Sequence, residues 1–444
     1  MSGGPAGPGH RRLAELMRRG TDFLGCEVAI LGGAMSWISE RNLVSAISNA
    51  GGFGVIACGA MTPELLDTEI AETRARTERP FGVNLITMHP QLSELIDVCT
   101  KHEVGHVVLA GGLPPRGSIE RIKGSGARLI AFAPALALAK KLMRSGADAL
   151  VIEGMEAGGH IGPVSTSVLA QEILPHVAAD IPVFVAGGIG RGEAIAAYLE
   201  MGAVGVQLGT RFVCATESIA HANFKKAFIR ASARDATASV QIDPRLPVIP
   251  VRALKNAAGE LFTAKQREVA QLLDEGKVEM MEAQLQIEHY WAGALRRAVI
   301  DGDVEHGSVM AGQSVGMVSK EEPVAEIIAT LMAYFGEIGG RLQASLLKFL
   351  SQIAPPSAFK LVNTTLAEFK QAEIGLRDAQ RDQKHLGNRE LFTLDGSPVA
   401  ADHRVPRAAY PPEHGERDPA RRQSGARERR RPARRGLRNA RGGS

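Results

Sequence analysis

Residues 153–162 read Glu-Gly-Met-Glu-Ala-Gly-Gly-His-Ile-Gly, which sets a carboxylate and an imidazole seven positions apart among glycines. Of the twelve histidines, His160 alone falls in a glycine-rich loop directly after a predicted strand. Glycine gives that loop the freedom to swing His160 over a bound substrate. An imidazole that titrates near neutrality then suits proton transfer. His106 lies inside an apolar run and reads as a core histidine. His89 sits beside Pro90 and is a lesser candidate for a substrate contact.

The remaining chemistry lies in turns. Gly32-Gly33-Ala34-Met35-Ser36 offers glycine-lined room in which a planar ligand can approach the backbone. Asn84 can both donate and accept at a ring edge. Ala186-Gly187-Gly188-Ile189-Gly190 and Leu208-Gly209-Thr210-Arg211-Phe212 are glycine turns at two consecutive strand ends. Such a pair presents backbone N–H groups to a phosphate. Together these residues describe a phosphate site over the seventh and eighth strands, a slot for a planar group beside the first, and an acid/base residue on the loop after the sixth. A flavin mononucleotide and a sugar phosphate both answer that description. Cys26, Cys58, Cys99 and Cys214 are scattered, without CxxC or zinc-like spacing, so reduced thiols and no metal site are expected.

Elements must bring these turns to one place. Short apolar runs recur at Glu27–Leu31, Phe53–Ile56, Gly82–Leu85, His106–Leu109, Arg128–Ala131, Ala149–Ile152, Pro182–Ala186 and Gly205–Leu208. They are continuous rather than alternating, as strands covered on both faces require. Helix-periodic stretches separate them, such as Asn42–Ala50 and Leu136–Ser145, each followed by a glycine at the stop position. Eight such units predict an α/β fold, a (β/α)8 TIM barrel whose reactive groups stand at the C-terminal strand ends. A doubly wound sheet would want an early GxGxxG, which the first strand lacks.

After Asn256 the pattern becomes helical, with Thr263 and Gln266 reading as a capping box. The expected organisation is an arm and helix over 1–24, the barrel over 25–256, a helical lid or subdomain over 257–340, a weakly structured extension over 341–394 and a disordered Arg-rich tail over 395–444. That tail is too poor in large apolar residues to offset its ordering entropy.

Composition bounds the function. Aromatics are 5% of the 444 residues, too few for a base-stacking platform. The formal charge of +4 is a property of the tail: Gly415–Ser444 carries eleven Arg against three acids, leaving 41 basic and 45 acidic residues elsewhere. Nucleic-acid binding is therefore expected through the tail or not at all. The longest apolar runs, such as Leu129–Ala139, fall short of the roughly 18–20 residues that span a bilayer, and no signal-peptide pattern follows the basic N-terminus. A cytoplasmic protein without membrane contact is expected.

The strand-6 segment Glu153–Gly162, with Ala186–Ile189, Gly209–Phe212, Glu217-Ser218, Val251–Asn256 and Ala311–Gly316, resembles the nitronate monooxygenase / 2-nitropropane dioxygenase superfamily. That superfamily includes the FMN-dependent enoyl-acyl-carrier-protein reductases of type II. The resemblance runs from Glu27 to Met332. It implies a barrel that binds FMN non-covalently, with a helical segment over the site. His160 matches the catalytic histidine, and Gly33, Met35, Asn84, Glu153, Gly188, Gly209 and Thr210 match FMN-contacting positions. Ala34, Gly158, Gly159 and Gly187 complete the implied lining, and Gln313 and Ser314 match positions that close over the flavin.

The resemblance implies two chemistries. Oxidation of an alkyl nitronate with O2, giving a carbonyl compound and nitrite, comes first. The alternative is hydride transfer from NAD(P)H through FMN to an enoyl thioester, toward which Gly32–Trp37 and the unbroken strand-6 motif lean. The implied partners are thus a small nitronate or an acyl thioester, and a homodimer is compatible with both. A flavin-free sugar-phosphate enzyme would want a lysine or paired carboxylates at the strand ends, and none of the eight ends supplies a lysine.

Overall fold

The computed structural model describes residues 8–334 except 116 and 247–248; the expected extension over 341–394 and tail over 395–444 lie outside the described residues. The chain opens with helix α1 (Pro8–Leu24) and then alternates strand and helix: β1 (Ile30–Gly32), α2 (Arg41–Asn49), β2 (Gly54–Ala57), α3 (Pro63–Arg74), β3 (Phe81–Ile86) and α4 (Leu92–Lys101). The alternation continues through β4 (His106–Ala110), α5 (Ser118–Gly124), β5 (Arg128–Phe132), α6 (Leu136–Arg144) and β6 (Ala149–Glu153). A two-residue strand β7 (Gly159–His160) then precedes α7 (Thr166–Val177), β8 (Val183–Ala186), α8 (Gly192–Glu200) and β9 (Gly205–Leu208).

The eight longer strands pair in parallel in the order β1-β9-β8-β6-β5-β4-β3-β2. A parallel bridge between Leu31 and Phe53 joins the first strand to the second, which closes the sheet into a (β/α)8 barrel. Each expected apolar run forms its strand, because continuous apolar residues can be buried on both faces only there: β2, β8 and β9 are buried at every position. Gly51 and Gly146 stop α2 and α6 at φ of 88° and 101°, a left-handed conformation that glycine adopts without strain. At the N-terminal end of the barrel, Phe23 of α1 packs edge-on against His106 with ring centroids 5.4 Å apart. His106 Nε2 lies 2.9 Å from the Phe23 carbonyl oxygen. This is the core histidine that the sequence suggests.

After the barrel come α9 (Thr210–Val213), α10 (Ala222–Arg230), β10 (Ala236–Ala238), β11 (Val251–Leu254), α11 (Ala257–Asp274) and α12 (Met280–Arg296). The start of α11 differs from the expected one. The helix begins at Ala257 after Asn256, and Thr263 lies inside it, donating to the Gly259 carbonyl at 3.0 Å. A mid-helix threonine can satisfy its hydroxyl on the preceding turn, so the capping-box spacing is coincidental there. Asn256 instead reaches sideways, donating to the carbonyls of Val304 and Gly307 at 2.7 and 2.8 Å. Helices α11 and α12 enclose a small core of Phe262, Val269, Ala283, Ile287 and Trp291, together with Val251 from β11.

Candidate active site

Glu153 ends β6, paired in register with Ala186 at the end of β8. Burial pushes its carboxyl up to about 8, and no donor or cation faces it among the described residues. A carboxyl in that state holds a proton at neutral pH and can donate it in a hydrogen bond. Asn84, in the second half of β3, is buried and donates its side-chain amide to the Val108 carbonyl at 3.2 Å, so its amide oxygen is left to accept.

The glycine turns meet as the sequence suggests. Gly187 and Gly188 follow β8 with φ of 98° and 71°, where an L side chain would be strained. The backbone N–H groups of Gly187, Gly188 and Gly209 donate to no carbonyl or side chain among the described residues. Gly33 packs against the turn after β9: a Cβ on it would stand 3.0 Å from Gly209 Cα. Met35 borders the same spot, its sulfur 3.5 Å from where a Gly209 Cβ would be. Ala34, between Gly33 and Met35, is half-buried. Donors without acceptors beside a slot lined by backbone fit a phosphate with an attached planar ring.

Gly312, Gln313 and Ser314 close on this turn from a distant part of the chain. Gly312 N–H donates to Thr210 Oγ1 at 2.9 Å, and Gln313 N–H donates to the Glu156 carbonyl at 2.9 Å. Gly158 lies against the same segment, with a Cβ position only 2.6 Å from Gly312 N. Ser314 is buried beside them.

His160 is held differently from the expected swinging loop. Gly159 and His160 form β7, antiparallel to β11, with His160 opposite Val251 and Gly159 opposite Arg252. Ile161 N–H extends the ladder to the Pro250 carbonyl at 2.9 Å. Gly154 and Gly158 therefore serve close packing and Gly159, at φ 78°, a left-handed backbone step, while pairing with β11 fixes the backbone of an exposed His160. His89 takes no such place: its Nδ1 accepts from Gln91 N–H at 3.1 Å, and burial lowers its pKa.

Sequence reasoning missed Arg252 and Glu156. Arg252 is buried and donates to the carbonyls of Met155 and Ala236 at 2.9 and 2.6 Å, tying loop 154–158 to β10 and β11. Glu156 Oε2 accepts from both the N–H and the hydroxyl of Thr166, each at 2.8 Å. Both residues lie within the motifs that carry the resemblance, but their partners are remote or off the strand ends, where spacing says nothing. Among the described residues no His, Cys, Asp and Glu cluster could hold a metal ion, and no helix is long and apolar enough to cross a membrane.

A closed parallel barrel with acceptor-free backbone amides and a buried, proton-holding carboxyl at its C-terminal strand ends has the build of a (β/α)8 enzyme. The sequence pattern of the nitronate monooxygenase family matches residues 18–104 and 93–333, and the chain belongs to that family. It is an oxidoreductase of a family whose enzymes use flavin. It is 30% identical over 338 residues to the 5-hydroxy-7a-methyl-1-oxo-octahydro-1H-indene-4-carboxyl-CoA dehydrogenase of Mycobacterium tuberculosis, covering 70% of this chain and 94% of that one. It is 29% identical to the nitronate monooxygenase of Paraburkholderia phytofirmans, covering 70% and 92%. Among solved structures, FabK from Thermotoga maritima superposes with a TM-score of 0.64 at 38% identity, over 74% of this chain and 98% of that one.

Proposed function

We propose that this chain binds FMN in the barrel mouth and works on the carbon skeleton of an acyl thioester, with NAD(P)H as the reductant. The observation that carries the cofactor assignment is the set of acceptor-free N–H groups at Gly187, Gly188 and Gly209 beside the backbone slot at Gly33. Bound there, FMN supplies reversible hydride transfer. Gly187, Gly188, Gly209 and Thr210 hold the phosphate. Gly33, Ala34 and Met35 flank the ring, and Asn84 accepts at its edge. Glu153, protonated at neutral pH, donates a hydrogen bond into the mouth. Gly158, Gly159, Gln313 and Ser314 exclude water from one side. His160 polarises the substrate carbonyl by donating from a ring nitrogen, or returns a proton to the adjacent carbon.

The thioester reading is supported by the carboxyl-CoA dehydrogenase relative and by FabK, at 30% and 38% identity. This exchanges the order that the motifs alone suggest. Nitronate oxidation stands second, supported by the nitronate monooxygenase relative at 29% identity over most of both chains.

Purified protein is expected to be yellow and to release FMN on denaturation. Mixed anaerobically with NADH or NADPH, it should bleach, and a short enoyl-CoA should restore the colour. Bleaching by propyl-2-nitronate with no response to either nicotinamide would favour the second reading. Colourless protein that cannot be reconstituted with FMN would reject both.

A further inference from the structure

The loop after β6 carries a second carboxyl that the proposed chemistry does not use. Glu156 sits where four segments converge. Its Oε2 accepts from the N–H and the hydroxyl of Thr166 in the first turn of α7, both at 2.8 Å. Its carbonyl accepts from Gln313 N–H at 2.9 Å. Its Cβ is 2.8 Å from the position a Gly188 Cβ would take, and its carbonyl oxygen is 2.8 Å from that of a Gly312 Cβ. The twelve-residue helix α7 presents positive N–H groups to this oxygen, a favourable place for it.

Glu156 stands four residues before His160, and the intervening backbone has few ways to move. Met155 N–H donates to the Val164 carbonyl at 2.8 Å, and Ala157 N–H donates to the Gly154 carbonyl at 3.1 Å. Gly158 is pressed against Gly312. Beyond it, β7 is docked on β11. The loop is thus anchored at its start by the Glu156 side chain and by Arg252 on the Met155 carbonyl, and at its end by β11. Loss of the Glu156 anchor would leave only backbone carbonyl contacts on residues 155–158 and let β7 tilt about β11.

We infer that Glu156 is a positioning residue for His160: by binding Thr166 it sets the loop that presents the imidazole to the substrate. This rests on the proposed role of His160, and it adds that the placement depends on a side chain outside the cofactor lining. A misplacement of about 1 Å at a reacting group costs on the order of 10²-fold in rate.

The test is a double-mutant cycle on yellow protein at saturating FMN, reading kcat for flavin-mediated reduction of an enoyl-CoA by NAD(P)H. E156A is expected to lower kcat by about 10²-fold with little change in KM, and to shift the limb of the kcat–pH profile that disappears in H160A. In an H160A background, E156A should cost nothing more. E156Q should recover most of the rate, since its amide oxygen can accept both Thr166 donors. If E156A does not give folded yellow protein, T166V removes one donor and carries the same cycle. Penalties that multiply in the double variant, or an E156Q as slow as E156A, would overturn the inference alone. Full turnover by H160A would remove the proposed role of His160, and the inference with it.

Discussion

Glu153 ends its strand without a donor or cation against it among the described residues, and burial pushes it up to about 8. An unfolded glutamate titrates at about 4.3. The folded protein therefore holds an extra proton between those two values, and this proton stabilises the fold most below the lower one. That contribution is lost as pH rises through about 8, so cofactor-free protein should lose stability on the way up. E153Q cannot titrate, and its melting temperature should fall less steeply from pH 5 to pH 9. Parallel curves for the two proteins would show that the carboxyl is charged in the fold. The thiols tell a simpler story at this scale: burial pushes all four up to about 12, which leaves them protonated and unreactive at neutral pH.

Between elements, the decisive contacts are backbone against backbone. G158A would put a methyl group 2.6 Å from Gly312 N, where neither strand of chain can yield cheaply. Overpacking of that kind costs about 1–3 kcal/mol, and the variant should melt lower and purify with less FMN. A second joint is the ion pair of Arg211 and Glu322, 2.7 Å apart, which pins residues 318–334 to the end of β9. Their side chains are only 8% and 5% exposed, so E322A strands a buried guanidinium. A loss of about 3–5 kcal/mol is expected in denaturant titration. These joints explain what was legible in the sequence. The eight strands were, because a continuous apolar run buried on both faces signals itself locally, and the glycine turns followed from being next to them. The β7–β11 pairing was not: a two-residue strand has no period, and its partner lies about ninety residues on. Glu156 and Arg252 were likewise hidden, since each takes its meaning from what it touches.

For the whole molecule, the matched family region ends near residue 333, and every group assigned to the site lies before it. A chain cut after residue 394 should therefore bind FMN with unchanged affinity, as read by flavin fluorescence quenching; weaker binding would give the Arg-rich stretch a part in the enzyme. Sequence alone placed the barrel but misjudged how it carries its histidine, taking glycines for looseness where the fold uses them for contact. The strand that holds His160 leans on Val251, and Val251 is also a stone in the little core of Phe262, Val269 and Trp291. A helical pair melting early under mild heat would slacken that shared footing while the barrel stayed whole. Catalysis should then fade at a lower temperature than the circular dichroism of the parallel strands, so that warmth would idle this enzyme before it unfolds it.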